Sequence, residues 1–223
     1  MAAKCAIFLD KDGTLIPDIP YNADPERVRL EEHVGQTLAM LAPHFELIVI
    51  SNQSGLAFGY FNEGELKMVE KRIKMLLHHY GVSLSGFYYC PHHPDGNKAP
   101  YARPCDCRKP APGLINRAAL EHHISLSGSW MIGDILNDVQ AGKAAGCSTI
   151  LINNGNETEW DMADHPQRIP DFMASDFAAA GEFILNSLKY EKYIGAISAI
   201  PGELQEQKNS SHRRPDTGPL YSG

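Results

Sequence analysis

The chain has 223 residues and a formal charge of −7, with 43 % hydrophobic and 21 % charged residues, a composition that suits one globular domain with a full core. The acidic balance argues against a broad nucleic-acid surface, which needs clustered Lys and Arg, and no apolar run approaches the length of a membrane span. Five cysteines, an odd number behind an N-terminus without a signal-peptide pattern, argue against a disulfide framework and for the cytoplasm.

Residues 5–10 read CAIFLD, a buried strand that delivers Asp10 at its end. One residue later Asp12 precedes Gly13 and Thr14. A glycine turn after a strand can aim two carboxylates at one point, although Asp-Gly is also a common plain turn. Residues 31–44 have helical composition. A second strand over 45–52 ends in Ser51 and Asn52, followed by Gln53, three side chains able to bond a phosphate oxygen. Residues 62–80 predict an amphipathic helix with Leu66, Val69, Ile73, Leu76 and Leu77 on one face.

A third strand, 86–90 (GFYYC), opens the loop CPHHPDGNKAPYARPCDCRKP at residues 90–110. Helices over 111–123 and 137–146 flank a fourth strand at 129–134, which ends in Asp134; Asp138 follows one helical turn later. A fifth strand at 148–153 leads into the polar loop NNGNETEWD. Cys5, Cys147 and Trp130 read as packing residues. Strand–helix alternation of this kind predicts an α/β fold, a Rossmann-like parallel sheet with helices on both faces and ligands at the carboxyl ends of the strands. The domain is expected over 1–190. Residues 203–223 are polar and rich in Pro, Gly and Ser, and the segment 191–223 is expected to be largely disordered.

Within the proline-broken loop, Cys90, His92, Cys105 and Cys107 form two close pairs, C-x-H and C-x-C. A Cys3His donor set suits Zn2+ in a closed structural site. A disulfide and a lone reactive thiol are the alternatives; a reducing compartment disfavours the first, and the second needs no neighbouring thiols. His93, beside His92, leaves open which imidazole would bind. The loop at 90–107 has little apolar content, so a metal would supply its order and would fix Arg108 and Lys109, which follow the last thiol.

Asp10, Asp12, Ser51, Lys109 and Asp134 together supply a nucleophile, a proton donor, an oxygen clamp, a counter-cation and a metal carboxylate. Phosphoryl transfer requires that inventory, because its catalysis is mostly positioning and charge neutralisation. In order, D-K-D-G-T, S-N, K and G-D-x-x-x-D resemble the four motifs of the haloacid-dehalogenase-like (HAD) phosphohydrolases, over residues 5–153. By that resemblance Asp10 attacks phosphorus and becomes an aspartyl-phosphate, while Asp12 protonates the leaving oxygen and then activates water. Mg2+ is implied between Asp10, the backbone carbonyl of Asp12 and Asp134, with Asp138 acting through a water or orienting Lys109. Ser51 and Asn52 would hold the transferring oxygens, and Gln53 and Arg108 would join in substrate binding.

The zinc loop resembles the subgroup that contains heptose-bisphosphate and histidinol-phosphate phosphatases. The phrases YYCPHHP and NQSG and the long insert between His92 and Cys105 are closer to the heptose side. The resemblance implies a phosphomonoesterase without a large cap domain, removing the 7-phosphate of D-glycero-D-manno-heptose 1,7-bisphosphate. Histidinol phosphate or another small metabolite is the alternative substrate, and a zinc-stabilised binding module without catalysis is the alternative class, which four intact motifs oppose. Two positions depart from the pattern: many heptose-type relatives carry Arg at Phe58 and Lys at Ile135. The expected partner is a small phosphorylated sugar, with neither nucleic acid nor membrane, and a monomer is favoured.

Overall fold

Ala6–Leu9 (β1) carries four consecutive apolar residues, all buried. A run that is apolar at every position belongs to a strand covered on both faces, as in a parallel sheet sandwiched by helices. In the computed structural model, which describes residues 4–198, β1 lies inside a six-stranded sheet. The other strands are Glu46–Asn52 (β2), Gly86–Cys90 (β3), Trp130–Gly133 (β4), Ser148–Ile152 (β5) and Phe172–Ala174 (β6). Their order is β3-β2-β1-β4-β5-β6, and every neighbouring pair is parallel.

Side chains alternate across a strand, and the two faces of the sheet bury different helices. Ala6, Phe8, Ile48, Ile50 and Met131 share one apolar cluster with Leu114, Ile115 and Ala118 of the helix Gly113–His122 (α4) and Ala141 of the helix Leu136–Ala145 (α5). The helices Val34–Leu41 (α1) and Glu63–His78 (α3) bury their own stripes, Val34, Leu38 and Leu41 in the first and Leu66, Val69, Ile73 and Leu77 in the second. Right-handed crossovers between β1, β2 and β3 put these two helices on the opposite face. The α3 helix starts at a reciprocal cap: Asn62 Oδ1 accepts from Glu65 N–H at 3.1 Å, and Glu65 Oε2 accepts from Asn62 N–H at 2.8 Å.

The strand order reverses between β1 and β4. In open α/β sheets the crevice outside the carboxyl ends at that point binds ligands, and Asp10 and Asp134 are the residues that leave β1 and β4 there. Among the described residues, the segments after β1 and β3 are loops and short helices instead of a cap domain. Short elements escaped the sequence reading. The four-residue helix Gly55–Phe58 (α2) and three-residue β6 are too brief to carry a period.

The chain divides into two compact units, Met1–Glu182 and Phe183–Gly223. The first contains the whole sheet and the site described below. A final helix, Phe177–Ser198 (α6), begins in the first unit, where Asp176 Oδ1 accepts from Ala179 N–H at 2.8 Å as its N-cap. Of the segment expected to be disordered, residues 191–198 belong to α6 and 199–223 lie outside the described residues.

Candidate active site

The loop after β1 is tightly closed. Asp10 N–H still bonds Ile132 O across to β4 at 2.9 Å, after which Gly13 N–H bonds Ile16 O at 2.7 Å and both Leu15 and Ile16 N–H bond Lys11 O at 3.0 Å. Gly13 has φ 77°, a left-handed conformation that favours glycine. A Cβ there would also overlap the Asp134 carboxylate and the Asn156 amide. The glycine of the D-x-D-G motif therefore lets the two strand ends approach each other.

Lys109 forms the centre of the charge arrangement. It is only 3 % exposed, and its Nζ lies 2.5 Å from Asp10 Oδ1, 2.6 Å from Asp138 Oδ1 and 2.9 Å from Ile50 O. Burial works against its charge, but Asp10 and Asp138 outweigh that and hold its pKa above the ordinary lysine value. Asp138 reaches Lys109 with one oxygen and accepts from Ile135 N–H with the other at 3.3 Å. It contacts the lysine and lies outside the cleft lining.

Asp134 receives Thr14 Oγ1 at 3.1 Å on one oxygen and Asn156 Nδ2 at 2.7 Å on the other. Burial and then the neighbouring Asp138 nevertheless push its pKa up to about 7. Asp10 is also raised well above the ordinary carboxylate value, by burial first, against the pull of Lys109, and then by the charges of Asp138, Asp134 and Asp12. Three buried carboxylates face one buried ammonium, and their oxygens come within 4.8 Å of one another. An all-oxygen donor set with surplus negative charge fits a hard divalent cation such as Mg2+.

Asp12 is held at both oxygens, Oδ1 by Lys11 Nζ at 2.8 Å and Oδ2 by Gln53 Nε2 at 3.0 Å. Gln53 Nε2 also reaches Ser51 Oγ at 2.8 Å. Asn52 faces Lys109: its Nδ2 donates to Lys109 O and its Oδ1 accepts from Lys109 N–H, each at 3.0 Å. Its amide thus places the lysine, and Asn52 also lines the cleft. These side chains line a cleft of about 320 Å3 together with the rim Asp18, Ile19, Pro20, Tyr21 and Asn22. Arg108 is half-buried and outside that lining, and its Nη1 is buried without a hydrogen-bond partner.

Several contributors went unread in the sequence. Lys11, 1 % exposed, looked like a spacer between two aspartates, although a charged residue inside an apolar strand end is itself a signal. Thr14, adjacent to the motif glycine, could have been found the same way. Asn154 and Asn156 could not, because their loop is polar throughout. Asn154 Nδ2 donates to Gly13 O at 2.7 Å, and Glu157 Oε2 accepts from Leu136 N–H at 2.6 Å, at the start of α5.

The cysteine loop closes on itself beside this cleft. Sγ of Cys107 lies 3.1 Å from that of Cys90 and 3.3 Å from that of Cys105, Cys90 and Cys105 are 3.5 Å apart, and His92 Nδ1 is 3.3 Å from Cys107 Sγ. A tetrahedral zinc with sulfur arms of about 2.3 Å has edges near 3.8 Å, so four donors already this close need little movement to accept one. Burial first, and then its bond to Cys107, hold the Cys90 thiol well above its ordinary pKa, so a stable thiolate there calls for a cation. The imidazole in the cluster is that of His92. His93 turns away, accepting from Asp95 N–H at 3.2 Å with its ring 4.9 Å from that of Phe58. Cys90, Cys105, Cys107 and Cys147 are free thiols.

The chain is similar to known proteins in sequence and in fold. A family model described as HAD-hydrolase-like matches residues 106–180. A protein of Escherichia coli K12 named D-glycero-beta-D-manno-heptose-1,7-bisphosphate 7-phosphatase is 37 % identical over 177 residues, covering 74 % of this chain and 93 % of that one. The protein of the same name from Pasteurella multocida is 40 % identical over 154 residues, 68 % of this chain and 83 % of its own. Among solved structures, D,D-heptose 1,7-bisphosphate phosphatase from B. bronchiseptica, complexed with magnesium and phosphate, superposes with a TM-score of 0.71 at 29 % identity, over 82 % of this chain and 99 % of that one.

Proposed function

The chain belongs to the haloacid-dehalogenase-like phosphatases, and from that premise we propose that it removes the 7-phosphate of D-glycero-D-manno-heptose 1,7-bisphosphate through an aspartyl-phosphate on Asp10. The observation that carries this reading is the Asp10–Lys109–Asp138 array at the sheet's switch point, with Asp134 beside it and Asp12 two residues on. Two anions, the Asp10 carboxylate and the phosphate, have to meet. Lys109 lowers their repulsion, which is severe where water is scarce. Asp10 attacks phosphorus as the bond to the sugar oxygen breaks, and Asp12 gives that oxygen its proton. The same carboxylate then takes a proton from water as the water attacks phosphorus and frees Asp10.

Asp10, Asp134 and the carbonyl of Asp12 would hold Mg2+, which supplies further charge neutralisation when bound. Ser51, which lines the cleft beside Gln53, would bond a transferring oxygen, while Asn52 secures Lys109. Cys90, His92, Cys105 and Cys107 would hold a structural Zn2+ that orders the loop carrying Lys109. Among the described residues no helix is long and apolar enough to cross a membrane; the cytoplasm is part of the proposal.

Steady-state kinetics on heptose bisphosphate and histidinol phosphate test the substrate, since the ratio of kcat/KM measures discrimination. The expected preference is for the heptose ester; a preference for histidinol phosphate would replace the reading. Asp10→Asn is expected to abolish turnover while the zinc content, measured by metal analysis, stays unchanged. Retained turnover would remove Asp10 as the nucleophile.

A further inference from the structure

The segment 153–157, which follows β5, ties three parts of the active site together. Asn154 Nδ2 donates to Gly13 O in the loop after β1 at 2.7 Å. Asn156 Nδ2 donates to Asp134 Oδ2, at the end of β4, at 2.7 Å. Glu157 Oε2 accepts from Leu136 N–H at 2.6 Å. The segment is also set from within: Asn154 Oδ1 accepts from Asn156 N–H at 3.1 Å, and Gly155 between them has φ 91°, a left-handed turn that suits glycine. Ile135, the N-cap of α5, makes no side-chain cap bond, so Glu157 supplies an acceptor there from outside the helix.

Asn156 is exposed, so burial does not account for where its amide lies. Asp134, in contrast, is only 3 % exposed, and Lys109 spends its ammonium on Asp10 and Asp138. A buried carboxylate needs donors. Thr14 Oγ1 serves Oδ1 from the β1 loop at 3.1 Å, and Asn156 serves Oδ2 from the β5 loop. Each carboxylate oxygen has two lone pairs. One bond on each oxygen therefore fixes the plane of the group and leaves a lone pair on each for a cation. Both donors are neutral, so they orient the carboxylate without cancelling its charge, as a lysine in either place would.

We propose that Asn156 is a positioning residue for the metal carboxylate, so that the loop after β5 sets how tightly Mg2+ is held. This rests on the phosphatase reading above, in which Asp134 is a Mg2+ ligand. Partners that orient a ligand side chain without touching the metal typically change its affinity by about 10- to 100-fold, and Asn156 holds such a place through a single bond.

Thermal unfolding of the zinc-replete protein at increasing Mg2+ tests this, each variant being compared with its own metal-free Tm. Asn156→Ala is expected to need about tenfold more Mg2+ than wild type for the same rise in Tm. The Mg2+ concentration for half-maximal activity is expected to rise by the same factor, with kcat at saturating Mg2+ within threefold of wild type. Asn156→Gln, which keeps an amide donor on a longer arm, is expected to lie between the two. A residue that only orders its loop would lower the metal-free Tm and leave the Mg2+ dependence alone. A Mg2+ requirement within twofold of wild type in Asn156→Ala therefore overturns the proposal, and so does a loss of kcat of tenfold or more that saturating Mg2+ does not restore. Absence of any Mg2+ effect on wild type would remove the ion from the phosphatase reading, and this proposal with it.

Discussion

Lys11, which lines the cleft, shows how a side chain between two catalytic candidates contributes by holding one of them. It is buried and spends its ammonium on Asp12 Oδ1, while Gln53 takes Oδ2. A carboxylate that must give and take a proton in turn profits from a fixed orientation, and misplacing an acid–base group costs on the order of 100-fold. Lys11→Met is expected to lower kcat at least tenfold with KM little changed, and Lys11→Arg to recover part of it; a variant with wild-type kcat would show that Asp12 does not depend on the lysine. Asn52 belongs to the same scale. Its two bonds to the Lys109 backbone convert an apparent substrate contact into one that sets where the lysine stands.

The cysteine loop is pinned at both ends to the tip of β2. Gln53 N–H bonds Cys90 O at 2.8 Å where the loop enters, and the Asn52 amide grips Lys109 where it leaves. Between those points Cys90, His92, Cys105 and Cys107, four side chains that could hold a metal ion, gather where the loop has little apolar content. Cys105→Ser is therefore expected to lose zinc, lower the melting temperature and reduce activity together, because the loop positions Lys109; full activity without bound metal would overturn the structural role. A smaller tie acts at the other edge of the sheet. Asp171, just before β6, accepts from Thr149 N–H at 2.7 Å and from Thr149 Oγ1 at 3.1 Å, and pairs with Lys143 at 2.5 Å. Burial opposes these contacts, but they outweigh it and hold the Asp171 pKa below the ordinary carboxylate value. A lowered folded pKa means stability that is present at neutral pH and lost as pH falls through and below about 4. Asp171→Asn is expected to cost about 1 kcal/mol at pH 7, kept small by solvent screening. In denaturant titrations that cost should shrink as pH falls below about 4, and one that stays constant there would point to packing instead of charge.

At the scale of the whole molecule, the order β3-β2-β1-β4-β5-β6 gathers Asp10, Asn52 and Asp134 from three strand ends and leaves their charges unbalanced. Asp10, Asp134 and Asp138 are all buried against one lysine. A cation that binds only the folded protein stabilises it by about 2.7 kcal/mol at 100 times its dissociation constant, which for a domain of this size raises Tm by roughly 5–10 °C. Mg2+ is expected to produce such a rise in wild type and little of it in Asp134→Asn. An equal rise in both would place the ion elsewhere.

The motifs D-K-D-G-T, S-N, K and G-D-x-x-x-D, the five longer strands and the C-x-H…C-x-C pairs were all legible in the chain, because strand ends, glycine turns and metal-ligand spacings are local patterns. Tertiary structure alone could decide the rest. His92 over His93, the turning of Asn52 toward Lys109, the burial of Lys11, and the arrival of Tyr21 and Asn156 from distant loops all depend on which side chains meet after the sheet closes. Local spacing says what a residue can do; only packing between segments far apart in the chain says which neighbour it finds.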